Sequence, residues 1–192
     1  SIFRKTIEDL ENIIGVFYIY NKNRKLIYVD YSKDIKNKVI KLFTSKKFIP
    51  KYVQNNFKSI KVHKTGSIDI AILKAIQEIK SLKPKINNNI DPKLFYKIDI
   101  PEIINDKKNF IITFSGKNED EKGFILFKEE KIIGYGYFDL FNNINTEKKL
   151  NSRVVKVDEC KKVKNYVYRV ISEKRYKKLL TLEEIYKFSG IE

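Results

Sequence analysis

Between Gly15 and Val39 the sequence leaves little choice of fold. Gly15-Val16-Phe17-Tyr18-Ile19-Tyr20 and Leu26-Ile27-Tyr28-Val29-Asp30 are short runs of β-branched and aromatic residues, the composition of strands. The polar stretch Asn21-Lys22-Asn23-Arg24-Lys25 separates them and predicts a hairpin. Ser32 suits a helix N-cap, and Asp34 would then lie in the first turn, where the helix dipole favours negative charge. The helix expected over residues 33–45 carries Ile35, Val39, Leu42 and Phe43 on one face. Lys33, Lys36, Lys38 and Lys41 occupy the rest of its surface, a basic outer side able to touch a phosphate backbone, with Arg24 at the hairpin turn.

The residues before this unit, with Phe3, Ile7, Leu10, Ile13 and Ile14 at rough helical spacing, predict a short packing helix. Residues 46–64 are less regular, but Ser59-Ile60-Lys61-Val62-His63-Lys64 alternates and predicts a third strand, with His63 facing solvent. Thr65-Gly66-Ser67 supplies a turn and an N-cap. Ile68, Ile72, Ala75, Ile76, Ile79 and Leu82 then form one stripe of a helix that Pro84 stops. Asn87-Asn88-Asn89 and Asp91-Pro92 mark a linker, so one domain is expected over 1–90 and a second over 91–192.

The second half reads as a small antiparallel sheet. Leu94–Ile100, Phe110–Phe114, Gly123–Phe127 and Ile132–Phe138 are strand-like, and Lys128-Glu129-Glu130-Lys131 joins the last two. Phe124, Phe127, Tyr135 and Tyr137 are expected in its core, since aromatic residues dominate small cores. Residues 142–152 predict a loop or frayed helix, Val157 to about Leu180 a helix with a basic end, and Leu182, Ile185 and Tyr186 one more helical turn. The class is therefore α+β: a small, mostly antiparallel sheet flanked by helices, followed by a second antiparallel sheet with helices.

Forty Lys and Arg against 24 Asp and Glu give a net charge of +16, which makes nucleic acid the first partner to consider. Scattered lysine in a chain rich in Ile and Asn also arises from AT-rich coding, so charge alone does not decide the matter. One cysteine, Cys160, and one histidine, His63, exclude an internal disulfide and a Cys- or His-based metal cluster. Any metal would be held by carboxylates, which suits magnesium or manganese. There is no run of 18 apolar residues and no signal-like start, so a cytoplasmic protein with no membrane partner is expected. The chain opens at Ser1 and has no Met, in keeping with a processed chain or a piece of a longer polypeptide.

Over roughly residues 12–90 the sequence resembles the GIY-YIG nuclease family. The likeness rests on the Gly15-Val16-Phe17 strand, the Tyr28-Val29-Asp30 strand, the Ser32–Val39 helix start, Thr65-Gly66-Ser67, and Lys83-Pro84-Lys85-Ile86-Asn87, similar to the family's Lys-Pro-Lys-Tyr-Asn ending. It looks like the nuclease domain of the UvrC type, and closer still to versions fused behind a proofreading-type exonuclease in Bacteroidota, the DNA polymerase III epsilon-like proteins. Those fusions contain a stretch similar to Phe110–Asp139, so on that resemblance the chain would be the C-terminal part of such a protein. Many relatives carry a cysteine-rich segment after the nuclease domain; this chain does not.

The resemblance implies phosphodiester cleavage with one divalent metal, two tyrosines that activate or position water, an arginine on the phosphate, and a glutamate holding the ion. Position by position this chain departs from that set. The first tyrosine is Phe17, with no hydroxyl; the second is retained as Tyr28. The glycine that follows is Asp30, the arginine is Lys38, and the glutamate, nine residues before Pro84, is Ala75. Without that carboxylate no cation is anchored for the developing phosphorane charge. No catalytic residue and no cofactor are therefore expected, and the reading is a degenerate nuclease domain that binds DNA, or a replication or repair protein, without cutting. The alternative is an active endonuclease with magnesium or manganese on a rearranged site using Asp30 or Glu78. A further alternative is a structural subunit of a nucleoprotein assembly, with the second sheet's aromatic residues exposed.

Overall fold

The computed structural model describes residues 2–86, 90–139 and 144–188, and the chain divides into two compact units, Ser1–Ile90 and Asp91–Glu192. The architecture is α+β, antiparallel sheets flanked by helices. The Asn87-Asn88-Asn89 linker lies outside the described residues.

In the first unit three strands, β1 (Gly15–Tyr20), β2 (Leu26–Ser32) and β3 (Ser59–Lys64), pair antiparallel in the order β2-β1-β3. Helices α1 (Ile2–Asp9), α2 (Ile35–Thr44), α3 (Phe48–Asn56) and α4 (Ile68–Leu82) surround them. Strand β1 is apolar at every position because both of its faces are covered. Phe17 and Ile19 join Ile27, Tyr28, Ile35, Val39, Leu42 and Val53 in one cluster. The alternate residues Val16 and Tyr18 point the other way and pack with Val29 and with Ala71 and Ala75 of α4. Two buried faces on one strand explain why its sequence shows no polar alternation.

Ser32 is not the α2 cap. Asp34 is: its carboxylate accepts from the Asn37 N–H, while the Ser32 hydroxyl accepts from the Asp34 N–H and donates to the Asp34 carbonyl. The helix thus starts two residues later than expected, because the carboxylate reaches the amide three residues on and Ser32 is spent shaping the turn before it. Ser67 does cap α4, and Lys83 closes that helix in a left-handed conformation just before Pro84. Helix α3 was not expected. Pro50 is its third residue, where a missing N–H costs nothing because the first-turn donors have no intrahelical acceptor. Gly15 is required where it stands: a Cβ there would lie 2.1 Å from the carbonyl oxygen of His63 on β3.

In the second unit, β4 (Phe110–Ser115), β5 (Glu121–Lys128), β6 (Lys131–Asp139), β7 (Val154–Lys156) and β8 (Leu179–Thr181) form an antiparallel sheet in the order β7-β6-β5-β4-β8. Helices α5 (Glu102–Lys107), α6 (Glu147–Ser152), α7 (Lys161–Ser172) and α8 (Leu182–Phe188) complete it. Glu129 and Glu130 both take positive φ, 47° and 68°, and turn β5 into β6 as the two-residue hairpin that strand twist favours. Phe124, Phe127 and Tyr135 are buried and Tyr137 is half-buried, so the aromatic residues form core rather than an exposed row.

Two expectations fail in this unit, and a third is made definite. Residues 94–100 are not a strand: Pro92–Phe95 is a 3-10 turn held by Asn165, which donates to the Phe95 carbonyl at 3.1 Å, and α5 follows Pro101. The helix expected from Val157 to Leu180 stops at Ser172, and Leu179 and Leu180 belong to edge strand β8. Residues 144–152 include a true helix, α6, capped by Thr146.

Candidate functional site

Strand β2 carries Tyr28 and Asp30 on the sheet face that α2 covers; their partners across the pair are Ile19 and Phe17 on β1. Asp30 is 1% exposed, a carboxylate within the sheet, and every contact it makes offsets the cost of holding a charge out of water. Its Oδ2 accepts from the Tyr28 hydroxyl at 2.8 Å and lies 3.0 Å from Nζ of Lys38. Its Oδ1 accepts from the Tyr31 N–H at 2.8 Å. The Lys38 ammonium also donates to the Tyr31 carbonyl at 2.7 Å and lies over the Tyr31 ring. Burial, followed by the Asp30 charge and the hydrogen bond to it, pushes the Tyr28 phenol far above the ordinary tyrosine range. At neutral pH this phenol is a donor locked onto a carboxylate, not a base.

A carboxylate therefore does stand beside Tyr28 and Lys38, but an ammonium already neutralises it. Phe17, fully buried, presents a ring to Tyr28 with centroids 6.1 Å apart and brings no polar atom. Ala75 is elsewhere: it packs with Val16, Tyr18, Val29 and Ala71 on the opposite face of the sheet. Of the five positions that the resemblance marks, Phe17, Tyr28, Asp30 and Lys38 come together and Ala75 does not join them.

Glu78, the other candidate metal ligand, also belongs to the α4 face. Its Oε1 accepts from the Tyr18 hydroxyl at 2.8 Å and lies 3.5 Å from Nζ of Lys74. Asp30 and Glu78 thus point to opposite sides of the sheet with separate partners. No group of three or more His, Cys, Asp or Glu side chains able to hold a metal ion occurs among the described residues. The residues present do not fit the single-metal centre that the resemblance implies, since Asp30, the buried carboxylate beside Tyr28, is bound to a lysine.

The basic residues divide. Lys33, Lys41 and Arg24 are exposed and Lys36 is half-buried, Arg24 at the β1–β2 turn and the lysines along or just before α2. Lys38, expected on the same outer side, turns inward to Asp30. Nothing in the helical period separates Lys38 from its neighbours; only the buried carboxylate eight residues upstream draws it in. His63, expected to face solvent, is half-buried, with its ring 5.0 Å from that of Tyr18. Burial and the charges of Lys74 and Lys61 lower its pKa, partly opposed by Glu78.

No protein-family model matches the sequence. The chain is similar to the UvrABC system protein C of Borreliella burgdorferi and of Borrelia garinii subsp. bavariensis, each 29% identical over 175 residues, 86% of this chain. It spans 25% of the length of these relatives. The first unit is under half of the chain, so a match of that extent continues into the second. Among solved structures it is similar to the GIY-YIG N-terminal endonuclease domain of UvrC from Thermotoga maritima bound to magnesium, with 19% identity and a TM-score of 0.40 over 43% of this chain and 92% of that one. No helix of the described residues is long and apolar enough to cross a membrane.

Proposed function

We propose that the chain is a UvrC-like module whose first unit keeps a GIY-YIG nuclease scaffold, binds DNA and does not cleave it. One observation carries this reading: the Lys38 ammonium sits on Asp30, the buried carboxylate beside Tyr28, while Ala75 lies in an apolar cluster on the other side of the sheet. A carboxylate already paired with an ammonium is a poor ligand for a divalent ion, which needs several oxygens in fixed geometry, and a methyl group cannot ligate one. What remains is a basic protein of net charge +16. Such a protein gains affinity for a polyanion by releasing counterions. Arg24, Lys33, Lys36 and Lys41 are the first contacts to test. The relatives found are UvrC proteins, so DNA repair, rather than a replicative exonuclease fusion, is the setting we propose.

The test uses labelled duplex, branched and single-stranded DNA, with binding followed against salt and cleavage followed with magnesium or manganese. Binding that weakens steeply as salt rises, with no product in either metal, is the expected result. Cleavage that disappears in Asp30→Ala or Glu78→Ala would establish the rearranged endonuclease instead. Failure to bind any DNA at low salt would remove the reading.

A further inference from the structure

On the α4 face, away from Asp30, the sheet gathers a second set of chemically active side chains. Strand β3 is an edge strand, and its register opposite β1 sets Lys61 across from Tyr18 and His63 across from Val16, so both project to the α4 side. Helix α4 adds Lys74 and Glu78. Glu78 is held by the Tyr18 hydroxyl and fixes Lys74 beside it; the His63 ring lies against Tyr18. Lys61 is exposed, and His63, Lys74 and Glu78 are half-buried, so the group opens to solvent along the β3 edge. Apolar packing does not require three cationic or basic groups on this one face.

We infer that this β3–α4 face is a contact site for a DNA phosphodiester backbone, with Lys61 and Lys74 as its cations and His63 as a third that joins them in acidic solution. The inference rests on the proposed DNA binding and adds where, and under what control, the backbone is held. The groups facing His63 are Tyr18 on β1, Lys61 on its own strand, and Lys74 and Glu78 on α4. In the free protein burial, then the charges of Lys74 and Lys61, hold the imidazole's pKa below its ordinary value, with Glu78 opposing them. A phosphate seated between the lysines removes that repulsion and supplies an acceptor for the imidazolium N–H, so binding and protonation reinforce each other. Glu78 anchors the site: bound by Tyr18 and Lys74, it holds the ammonium at the edge rather than letting it swing into solvent.

The experiment measures affinity of the full chain for a labelled DNA duplex against salt, at pH 5.5 and at pH 7.5. Each phosphate contact contributes about 0.9 to the slope of log affinity against log salt. The wild-type slope is expected to steepen by about one at the lower pH, and Lys61→Gln with Lys74→Gln to reduce it by about two at either pH. His63→Gln should remove the pH dependence. His63→Lys should fix the steeper slope at both pH values, which separates lost charge from a misfolded strand. Lys33→Gln with Lys41→Gln, on α2, should leave the pH dependence intact. An unchanged pH dependence in His63→Gln, or wild-type binding by the Lys61/Lys74 variant, overturns the inference. Either one leaves the broader DNA reading standing, whereas no DNA binding by the wild type at low salt overturns both. Preference for RNA of the same length over DNA also overturns it.

Discussion

The ammonium of Lys38 lies 3.0 Å from Oδ2 of Asp30, a side chain 1% exposed, while Lys38 itself is 38% exposed. The asymmetry sets what each partner is worth. Removing the lysine leaves a charge in the sheet without its ammonium, beside the Tyr28 hydroxyl and the Tyr31 N–H that donate to it. Removing the carboxylate frees an ammonium that reaches water along its own stem.

Lys38→Met is therefore expected to destabilise the chain by about 2–3 kcal/mol, below the range for a fully buried pair because Lys38 is partly solvated. Asp30→Asn should cost about 1–2 kcal/mol, since the single amide oxygen can keep the Tyr31 N–H while the NH2, a donor, takes the place of the oxygen that accepts from Tyr28. The double variant should be more stable than Lys38→Met alone. Urea denaturation of the four proteins closes the cycle, and additive losses would mean that the pair does not couple.

Tyr28 makes a prediction about alkaline pH. Its phenol is raised by burial first, then by the Asp30 charge and the hydrogen bond. A group with a raised folded-state pKa contributes stability that is complete below its unfolded value, near 10, and is lost as pH climbs beyond it. Unfolding should thus become easier above about pH 10, and Tyr28→Phe should flatten that dependence while costing about 1 kcal/mol at neutral pH. Absorbance titration of phenolate alongside denaturation at each pH checks both halves.

Much of the first unit is legible in its sequence because its signals are strong and local. The β1–β2 hairpin declares itself in composition, and α4 shows a long apolar stripe between Ser67 and Pro84. Elements that depend on partners distant in sequence are less visible. The three-residue strands β7 and β8 exist only because β6 and β4 offer edges to pair with, and Leu179 and Leu180 mimic a continuing helix until Lys174 turns the chain at positive φ. The site behaves likewise. Phe17, Tyr28 and Asp30 share a face by simple alternation, but the inward turn of Lys38 and the Tyr18–Glu78 bond, 60 residues apart in sequence, arise from tertiary packing. Charge counting alone assigned Lys38 to the wrong side of its helix.

Gly15 tests the junction of β1 with the edge strand. A methyl group there meets the His63 carbonyl oxygen at 2.1 Å, and the Lys64 Cα at 3.1 Å. Backbone cannot retreat as a flexible side chain does, so Gly15→Ala should force β3 outward and cost on the order of 2–3 kcal/mol. Amide exchange should quicken along Ser59–Lys64 while the Gly15–Ser32 pairing to β2 stays protected. Equal quickening of both strands would mean that the close approach is relieved by moving β1 instead.

Ala75 offers the most direct check on whether the scaffold holds an ion site. If the scaffold still presented a metal-ready cavity, Ala75→Glu would create a ligand for it, and millimolar magnesium would stabilise the variant by mass action. The surroundings argue otherwise: Ala75 is fully buried among Val16, Tyr18, Val29 and Ala71, and Glu78, one turn further along the same helix, is already held by Tyr18 and Lys74. A glutamate there must displace apolar side chains and lose hydration without a partner, at a cost of about 2 kcal/mol or more. The expected outcome is a lower thermal midpoint that magnesium does not raise, together with no cleavage of DNA. A midpoint restored by magnesium but not by an equal ionic strength of potassium would show that the fold retains an ion site, and that one side chain separates it from the nuclease centre.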